Sequence, residues 1–199
     1  MLVIVLCSGY LKEPYFKKWR GPKCLLPIKD DGTTILDYQM DMYNKFGLEV
    51  VLVCGYGTKE IIEHIRKKKY TVKIIMDKTF MEDYSIPRTL KEIEGEINMI
   101  PEFLMIHGDL IFKDDLLEYL TTCTGYDICR ANRQNMAFRF TNVGFLKMMW
   151  ELRNGYFEGL NSPLWRELED KVTFAPSPVI WMYDVDRDEE WNTMKRMFK

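Results

Sequence analysis

The apolar and polar positions predict strands and helices that alternate along the first half of the chain. Continuous apolar runs lack the alternation of a half-solvated strand and predict buried strands over residues 2–7, 49–54 and 72–76. Between them, apolar positions recur every three to four residues and predict helices over residues 34–46 and 58–68, capped by Thr34 and Thr58. This order predicts an α/β fold with a doubly wound, mostly parallel sheet, whose ligand crevice lies at the carboxyl ends of the strands.

The same patterns continue beyond residue 86. They predict helices over residues 87–96, 114–122, 145–153, 163–170 and 188–198, and strands over residues 103–106, 126–131 and 179–183. Between residues 132 and 173 the pattern weakens, because aromatic and polar residues are interleaved. We expect this stretch to form a small lid over the crevice.

The first predicted strand ends at Ser8 and Gly9 and leads into a basic, turn-rich loop. The cations of this loop are Lys12, Lys17, Lys18, Arg20 and Lys23. Glycine lets the backbone approach phosphate groups closely, and the cations balance phosphate charge. The loop therefore predicts a binding site for a nucleoside triphosphate.

Composition limits the partners. The chain has 199 residues, 47% of them apolar, so a single domain can bury a sizeable core. A formal net charge of −2 argues against nucleic acid or an anionic membrane as the main partner. No apolar stretch reaches the roughly 18 residues needed to span a bilayer. We expect a cytoplasmic protein, monomeric or homodimeric, whose five cysteines form no Cys-x-x-Cys pair and stay reduced.

Two segments of the first loop carry a resemblance to a known family. Residues 6–9 read LCSG, and after thirteen intervening residues Lys23 stands within PKCLLP at residues 22–27. This arrangement resembles the signature of the sugar-phosphate nucleotidyltransferases, and most of all their small phosphocholine cytidylyltransferase members. The resemblance covers residues 2–131 and 179–191. It implies a Rossmann-like nucleotide-diphospho-sugar transferase fold, with residues 1–131 as the nucleotide-binding half, 132–178 as the acceptor lid and 179–199 as a final strand and helix.

The resemblance also implies which residues bind the nucleotide. In the family, the first glycine and the loop amides hold the triphosphate, and the lysine matched by Lys23 stabilises charge at the reacting phosphorus. Near the base, the family carries Asn-Asn-x-Tyr-Ser-Leu, of which the tyrosine and serine are matched. The nucleotide-binding residues implied are Cys7, Ser8, Gly9, Lys12, Arg20, Lys23, Tyr84, Ser85 and Gly108.

The loop departs from the family signature at two positions. The family continues Gly-x-Gly-Ser/Thr-Arg, whereas residues 9–13 here read GYLKE. The second glycine and the signature arginine are absent, and Glu13 stands where the arginine is expected. Lys12, Lys17, Lys18 and Arg20 are the candidates for supplying the missing charge, although lysine lacks the bidentate fork of arginine.

Two aspartates are the candidate metal ligands. Asp109 and Asp186 each follow a predicted buried strand, and in a parallel sheet both side chains emerge at the edge where Gly9 lies. Such a carboxylate pair can hold Mg²⁺ together with substrate phosphates. The resemblance implies the same pair as catalytic residues with Lys23, and Asp184 is the alternative second ligand. The structural alternative is that Asp109 only forms a turn or caps the next helix, and that Asp186 caps the last helix.

Arginines and aromatic residues between positions 130 and 157 are the candidates for binding the acceptor. Arginine grips phosphate bidentately, and aromatic faces suit a sugar or a quaternary ammonium group. A small aromatic core with solvated arginines is the alternative interpretation. The predicted acceptor-binding residues are Arg130, Arg133, Arg139 and Tyr156.

The resemblance implies a Mg²⁺-dependent enzyme that joins a nucleoside triphosphate, preferably CTP, to a small phosphorylated acceptor and releases pyrophosphate. Positioning and charge neutralisation suffice for this chemistry, because a phosphate monoester is already ionised at neutral pH. One alternative is a glycosyltransferase of the related fold, whose Asp-x-Asp motif would be residues 184–186. Another is a nucleotide-binding regulatory domain that lost catalysis with its signature arginine.

Overall fold

The computed structural model describes residues 1–8, 19–78, 86–97, 99–132, 136–155 and 162–198. Within them the strands are β1 (Leu2–Cys7), β2 (Glu49–Cys54), β3 (Lys73–Met76), β4 (Glu102–His107), β5 (Leu110–Phe112), β6 (Ile128–Arg130), β7 (Ala137–Thr141) and β8 (Met182–Asp184). The helices are α1 (Ile35–Lys45), α2 (Thr58–Lys68), α3 (Ile86–Ile97), α4 (Asp114–Thr122), α5 (Asn142–Asn154), α6 (Ser162–Leu168) and α7 (Asp188–Met197). None of the helices in this part of the chain is long and apolar enough to cross a membrane.

The central sheet has the strand order β3-β2-β1-β4-β7-β6. The four strands from β3 to β4 are parallel, whereas β7 runs antiparallel to both of its neighbours. Apart from β7, the carboxyl ends of all strands in the sheet therefore lie at one edge. The predicted α/β fold with a mostly parallel sheet is confirmed.

Helices cover both faces of the sheet because the side chains of its central strands alternate between two apolar layers. In β1, Val3, Val5 and Cys7 pack with buried residues of α1, α2 and α4. Ile4, on the opposite face, packs with buried residues of α3, α5 and α6. A strand buried on both sides has no solvated face, which explains why β1 reads as a continuous apolar run.

The predicted cap of α1 is confirmed. The predicted bounds of α2 are confirmed as well, but its predicted cap is wrong by one residue. Thr34 caps α1: its side chain accepts a hydrogen bond from the Asp37 backbone, and the Asp37 carboxylate accepts one from the Thr34 backbone. Thr58 is instead the first residue of α2, and Gly57 is the N-cap. Gly57 has a φ of 66°, a left-handed conformation that a side chain would disfavour.

Strand β7 lies in the stretch where the sequence pattern predicts only a lid. Its Phe138 and Phe140 enter the apolar layer beneath α5 and α6, and the Phe138 ring stacks on Trp165 with a centroid distance of 5.3 Å. Arg139, between them, faces the other layer and is 2% exposed. For these two phenylalanines the alternative interpretation, a small aromatic core, is confirmed.

The last strand lies outside the central sheet. The sequence predicts it over residues 179–183, but β8 covers Met182–Asp184 and pairs antiparallel with β5 in a separate two-stranded ribbon. Val179 is 96% exposed. This ribbon packs with α7 beneath the edge of the sheet, around a small apolar cluster that contains Ile111, Val185 and Trp191.

Candidate functional site

Lys23 is held in place by the short turn that it begins. Pro22 is followed by a single 3-10 turn, Lys23–Leu25, in which the Leu25 amide donates to the Pro22 carbonyl at 3.0 Å. The next residues, Leu26 and Ile28, are fully buried. The backbone of Lys23 is therefore anchored by buried neighbours, while its long side chain, 14% exposed, reaches the carboxyl edge of the sheet.

Asp109 lies directly after β4, in the turn that leads into β5. Its Oδ2 accepts a hydrogen bond from Lys23 Nζ at 3.1 Å. The turn fits closely against β1: the Gly108 amide donates to the Leu6 carbonyl at 3.0 Å. A Cβ on Gly108 would lie 2.7 Å from the Cys7 Sγ, so this position has no room for a side chain. Glycine is thus required here by close packing. Asp109 does lie in a turn, as the structural alternative holds, but it is not the N-cap of α4, which is Lys113.

Asp186, which follows β8, also lies beside the Lys23 ammonium. The β5–β8 ribbon pairs Leu110 with Asp184, which places residues 184–186 beside Asp109. Lys23 Nζ donates a second hydrogen bond to Asp186 Oδ1. Asp186 is not the N-cap of α7, since that position belongs to Arg187, so the capping alternative is wrong.

Helix α7 fastens this ribbon to the segment that follows Lys23. The Trp191 indole donates to the Pro27 carbonyl at 2.8 Å, and the Trp191 ring packs edge-on against Trp19 with a centroid distance of 6.3 Å. The Asp186 amide donates to the Glu190 carboxylate at 2.7 Å. Both sides of the Lys23–Asp186 contact are therefore supported by further interactions.

The charges in this cluster shift one another's pKa values. Burial, the largest cause, and the neighbouring Asp109 and Asp186 carboxylates together raise the pKa of Asp184 to about 8. Burial acts against the charged forms of Lys23 and Asp186 as well. The charge contacts outweigh burial: Asp109 and Asp186 hold the pKa of Lys23 above its usual range, and Lys23 holds the pKa of Asp186 below its usual range. The cluster therefore favours additional positive charge.

Asp109, Asp184 and Asp186 form a group that fits a divalent cation. Each offers a carboxylate oxygen, and these oxygens lie within 4.8 Å of one another. Among the described residues, Asp184 Oδ1 is a buried oxygen with no hydrogen-bond donor. Carboxylate oxygens are the ligands that Mg²⁺ prefers. A buried oxygen that accepts no hydrogen bond gains a partner when it binds a cation. The residues present thus fit a metal ion, and Asp184 belongs to the group beside the two aspartates predicted from sequence.

The end of β1 is tied to β3 and α3 by buried polar side chains. Thr89 Oγ1 in α3 donates to the carboxylate of Asp77 at 2.6 Å and lies 3.5 Å from the hydroxyl of Ser8. All three are at most 2% exposed. Asp77 was not predicted as part of the site, although it directly follows β3, the same position relative to a strand that identified Asp109.

Other predicted nucleotide-binding residues are placed as follows. Cys7 is buried, and its Sγ packs against Gly108. Arg20 is exposed, and its carbonyl accepts a hydrogen bond from the Tyr56 hydroxyl at 2.9 Å. Gly9, Lys12, Tyr84 and Ser85 lie outside the described residues and stay predictions.

The predicted acceptor residues do not form one group in the part of the chain that is described. The Arg130 guanidinium lies over the rings of Trp165, at 4.9 Å, and Phe174, at 5.6 Å. Arg139 pairs with Glu102 at 2.6 Å, at the end of β4 away from Asp109, so its position does not support contact with an acceptor. Arg133 and Tyr156 lie outside the described residues and stay predictions.

Comparisons with known proteins agree with the signature of the first loop. No family model matches the chain. The bifunctional protein GlmU of Methanococcus vannielii is 23% identical over 224 aligned positions, which cover 98% of this chain and 52% of that protein. The chain thus spans about half the length of this curated relative.

Solved structures share the fold. The inositol-1-phosphate CTP transferase from T. maritima superposes with a TM-score of 0.70 at 15% identity, over 99% of this chain and 96% of that one. The CTP:phosphocholine cytidylyltransferase from Streptococcus pneumoniae gives a TM-score of 0.64 at 16% identity, over 100% and 99%. In sequence over almost its whole length and in fold, the chain therefore resembles the sugar-phosphate nucleotidyltransferases.

Proposed function

We propose that this protein is a Mg²⁺-dependent nucleotidyltransferase that joins a nucleoside triphosphate, preferably CTP, to a small phosphorylated acceptor and releases pyrophosphate. The observation that carries the proposal is the contact of one lysine with two aspartates at the carboxyl edge of the sheet. Lys23, Asp109 and Asp186 come from the beginning, middle and end of the chain. Ligands of doubly wound folds bind at this edge, so the cluster lies where a nucleotide is expected.

The proposed reaction exchanges one phosphorus–oxygen bond for another. An oxygen of the acceptor phosphate attacks the α-phosphorus of the triphosphate, and the bond from that phosphorus to the bridging oxygen breaks. Pyrophosphate leaves with the electron pair. The acceptor oxygen is already ionised, so no protein base has to remove a proton. The role of Lys23 is to place a positive charge beside the reacting phosphate, where charge accumulates in the transition state.

The three carboxylates supply the rest of the site. Asp109 and Asp186, with Asp184, would hold Mg²⁺, which when bound supplies positive charge to the triphosphate oxygens. Because Asp109 follows a strand of the sheet and Asp186 follows the β5–β8 ribbon, the ligands stand on rigid elements. Such ligands keep their geometry without ordering a loop at each turnover.

The choice of CTP and of a phosphorylated acceptor is supported by similarity. Both solved structures compared above are named for reactions of CTP, one with inositol-1-phosphate and one with phosphocholine. The loop signature around Lys23 also resembles that of the phosphocholine cytidylyltransferase members. The acceptor class remains open in this proposal between phosphocholine-like compounds and sugar phosphates.

A substrate panel tests the proposal. Pyrophosphate release is measured with CTP, UTP, GTP and ATP, each combined with phosphocholine, inositol-1-phosphate and glucose-1-phosphate, with and without Mg²⁺. We expect release that needs Mg²⁺ and an acceptor and is fastest with CTP. Sugar transfer from a nucleotide sugar without pyrophosphate would favour the glycosyltransferase alternative. Saturable CTP binding without turnover on any acceptor would favour the regulatory alternative.

A matched pair of variants links the activity to the cluster. Asp109→Asn removes one carboxylate charge that contacts Lys23. Asp114→Asn, at the start of α4, removes a carboxylate that forms an exposed ion pair with Lys45 of α1. This pair lies outside the cluster. Loss of turnover in the first variant but not in the second would assign the activity to the cluster.

A further inference from the structure

The ammonium of Lys23 contacts two of the three carboxylates that fit a divalent cation. It donates to Asp109 Oδ2 at 3.1 Å and also to Asp186 Oδ1. Water does little to screen the first of these contacts, since the side chains of Lys23 and Asp109 are 14% and 16% exposed. Lys23 therefore supplies these carboxylates with a positive charge from the protein itself.

A metal ion at the same oxygens would meet this ammonium directly. One oxygen of each of the three carboxylates lies within 4.8 Å of the others, and Lys23 Nζ contacts two of these carboxylates, so an ion bound among them would lie close to the ammonium. A divalent ion a few ångströms from an ammonium is strongly repelled in a partly buried site. This repulsion favours movement of the ammonium away from the metal, and the four-carbon stem of lysine permits that movement while its backbone stays in the 3-10 turn.

We propose that Lys23 competes with the divalent cation for Asp109 and Asp186. When a nucleotide binds, the Lys23 ammonium contacts its phosphates and no longer contacts these carboxylates. This inference rests on the proposed function, because it concerns the metal and nucleotide of that same site. A triphosphate gives the ammonium a new partner, so nucleotide binding releases the carboxylates to the metal. By thermodynamic linkage each ligand then tightens the binding of the other.

The proposal reverses the usual expectation for a residue that supports catalysis. Removing Lys23 should weaken turnover, yet it should strengthen binding of Mg²⁺ alone. If Lys23 only supported the structure of the cluster, its removal would loosen the carboxylates and weaken Mg²⁺ binding. The direction of the change in Mg²⁺ affinity therefore separates competition from structural support.

The test is calorimetric titration of Mg²⁺ into the wild-type chain and three variants, without nucleotide. Lys23→Met and Lys23→Gln remove the charge and should bind Mg²⁺ at least about tenfold more tightly, the change expected when one close charge pair is lost. Lys23→Arg keeps the charge and should stay near wild type. Lys45→Met, which removes an exposed lysine paired with Asp114, is the control and should change nothing. Circular dichroism verifies that each variant is folded.

A second titration tests the linkage. In the wild-type chain CTP should tighten Mg²⁺ binding by a larger factor than in Lys23→Met, because only the wild type has an ammonium to release. Unchanged or weaker Mg²⁺ binding in both neutral variants overturns the competition. The competition is also overturned if neither the wild-type chain nor any variant binds Mg²⁺. If the neutral Lys23 variants bind Mg²⁺ more tightly but no pyrophosphate is released in the substrate panel, the proposed nucleotidyltransferase activity is rejected. The competition between Lys23 and Mg²⁺ is then still supported.

Discussion

Lys23 contacts the carboxylate of Asp186 although the two residues lie 163 positions apart in the chain. Three interactions bring them together: the β5–β8 pairing, the hydrogen bond from Trp191 to the Pro27 carbonyl, and the burial of Leu26 and Val185 in one apolar cluster. The site is thus assembled by the packing of the last helix on the first loop, and its parts are held by contacts that do not involve a ligand.

The first prediction concerns the charge of Lys23 in catalysis. Lys23→Ala should lower the rate of pyrophosphate release by about 10²-fold or more, because removing one preorganised donor to a developing charge typically costs that much. The rate is measured at saturating CTP and acceptor. Lys45→Ala removes a lysine that is 59% exposed and should leave the rate unchanged. Undiminished turnover in Lys23→Ala would remove this residue from the mechanism.

The second prediction concerns Asp109. Asp109→Asn keeps the shape of the turn but loses the charge, so it should weaken Mg²⁺-dependent CTP binding while the unfolding midpoint stays near that of the wild type. Nucleotide titrations with and without Mg²⁺ measure the first effect, and thermal unfolding measures the second. A steep fall of the midpoint with unchanged Mg²⁺ affinity would show that Asp109 acts only in the turn.

The first half of the fold follows from local pattern because each element there has a clear period. Continuous apolar runs and three-to-four-residue recurrence predict β1, α1 and β2 almost to the residue. The pattern does not predict strand β7, because Arg139 interrupts its apolar residues. That arginine is buried through its pair with Glu102, 37 positions earlier, and no local pattern contains such a partner.

The meeting of the two aspartates is predicted correctly, but for Asp186 the reasoning is wrong. Asp109 does follow a parallel strand, as expected. Asp186 follows β8, which among the described strands pairs with β5 and lies outside the central sheet. A short strand at the end of a chain carries no signal that says which strand it joins, so its position depends on tertiary packing.

The third prediction concerns the close packing of Gly108. A Cβ at this position would meet Cys7 Sγ at 2.7 Å and the Leu6 carbonyl at 3.0 Å. Gly108→Ala should therefore destabilise the fold by about 1–3 kcal/mol, the usual cost of overpacking a filled site. Gly95→Ala in α3 meets no atom within 4 Å and should stabilise it by about 0.5–1 kcal/mol. Urea unfolding measures both; equal stability of the two variants would contradict the packing seen at Gly108.

The fourth prediction concerns the acceptor. If an aromatic site binds a quaternary ammonium group, phosphocholine should bind saturably to the CTP-bound protein, and Tyr156→Ala should abolish this binding. If arginine instead grips a sugar phosphate, only sugar phosphates should bind, and Arg133→Ala should abolish the binding. Arg139→Ala is the comparison: its pairing with Glu102 predicts reduced stability, with acceptor affinity unchanged in the protein that remains folded. Calorimetric titration of both acceptors decides between the two.

The last prediction concerns Asp37, a buried carboxylate away from the site. Its oxygens accept hydrogen bonds from the Thr34 amide at 3.0 Å and the Tyr70 hydroxyl at 2.8 Å, and they lie 2.8 Å from His64 Nε2 and 3.1 Å from Lys68 Nζ. Burial alone would raise the pKa of Asp37, but these partners together lower it well below its usual value of 3.8.

Because the pKa of Asp37 is lower in the folded than in the unfolded chain, its contribution to stability is present above about pH 4 and is lost as the pH falls towards the folded-state pKa. Asp37→Asn should cost about 2–4 kcal/mol at pH 7, since it removes a buried carboxylate charge from its pair with the partly exposed Lys68 and weakens a capping box. Asp41→Asn, on the exposed face of α1, should change stability by less than about 0.5 kcal/mol. Urea unfolding at pH 7, 5 and 3.5 should show the gap between wild type and Asp37→Asn constant at the two higher values and narrower at the lowest. A gap that stays constant down to pH 3.5 would show that the Asp37 carboxylate does not carry this stability as a charge.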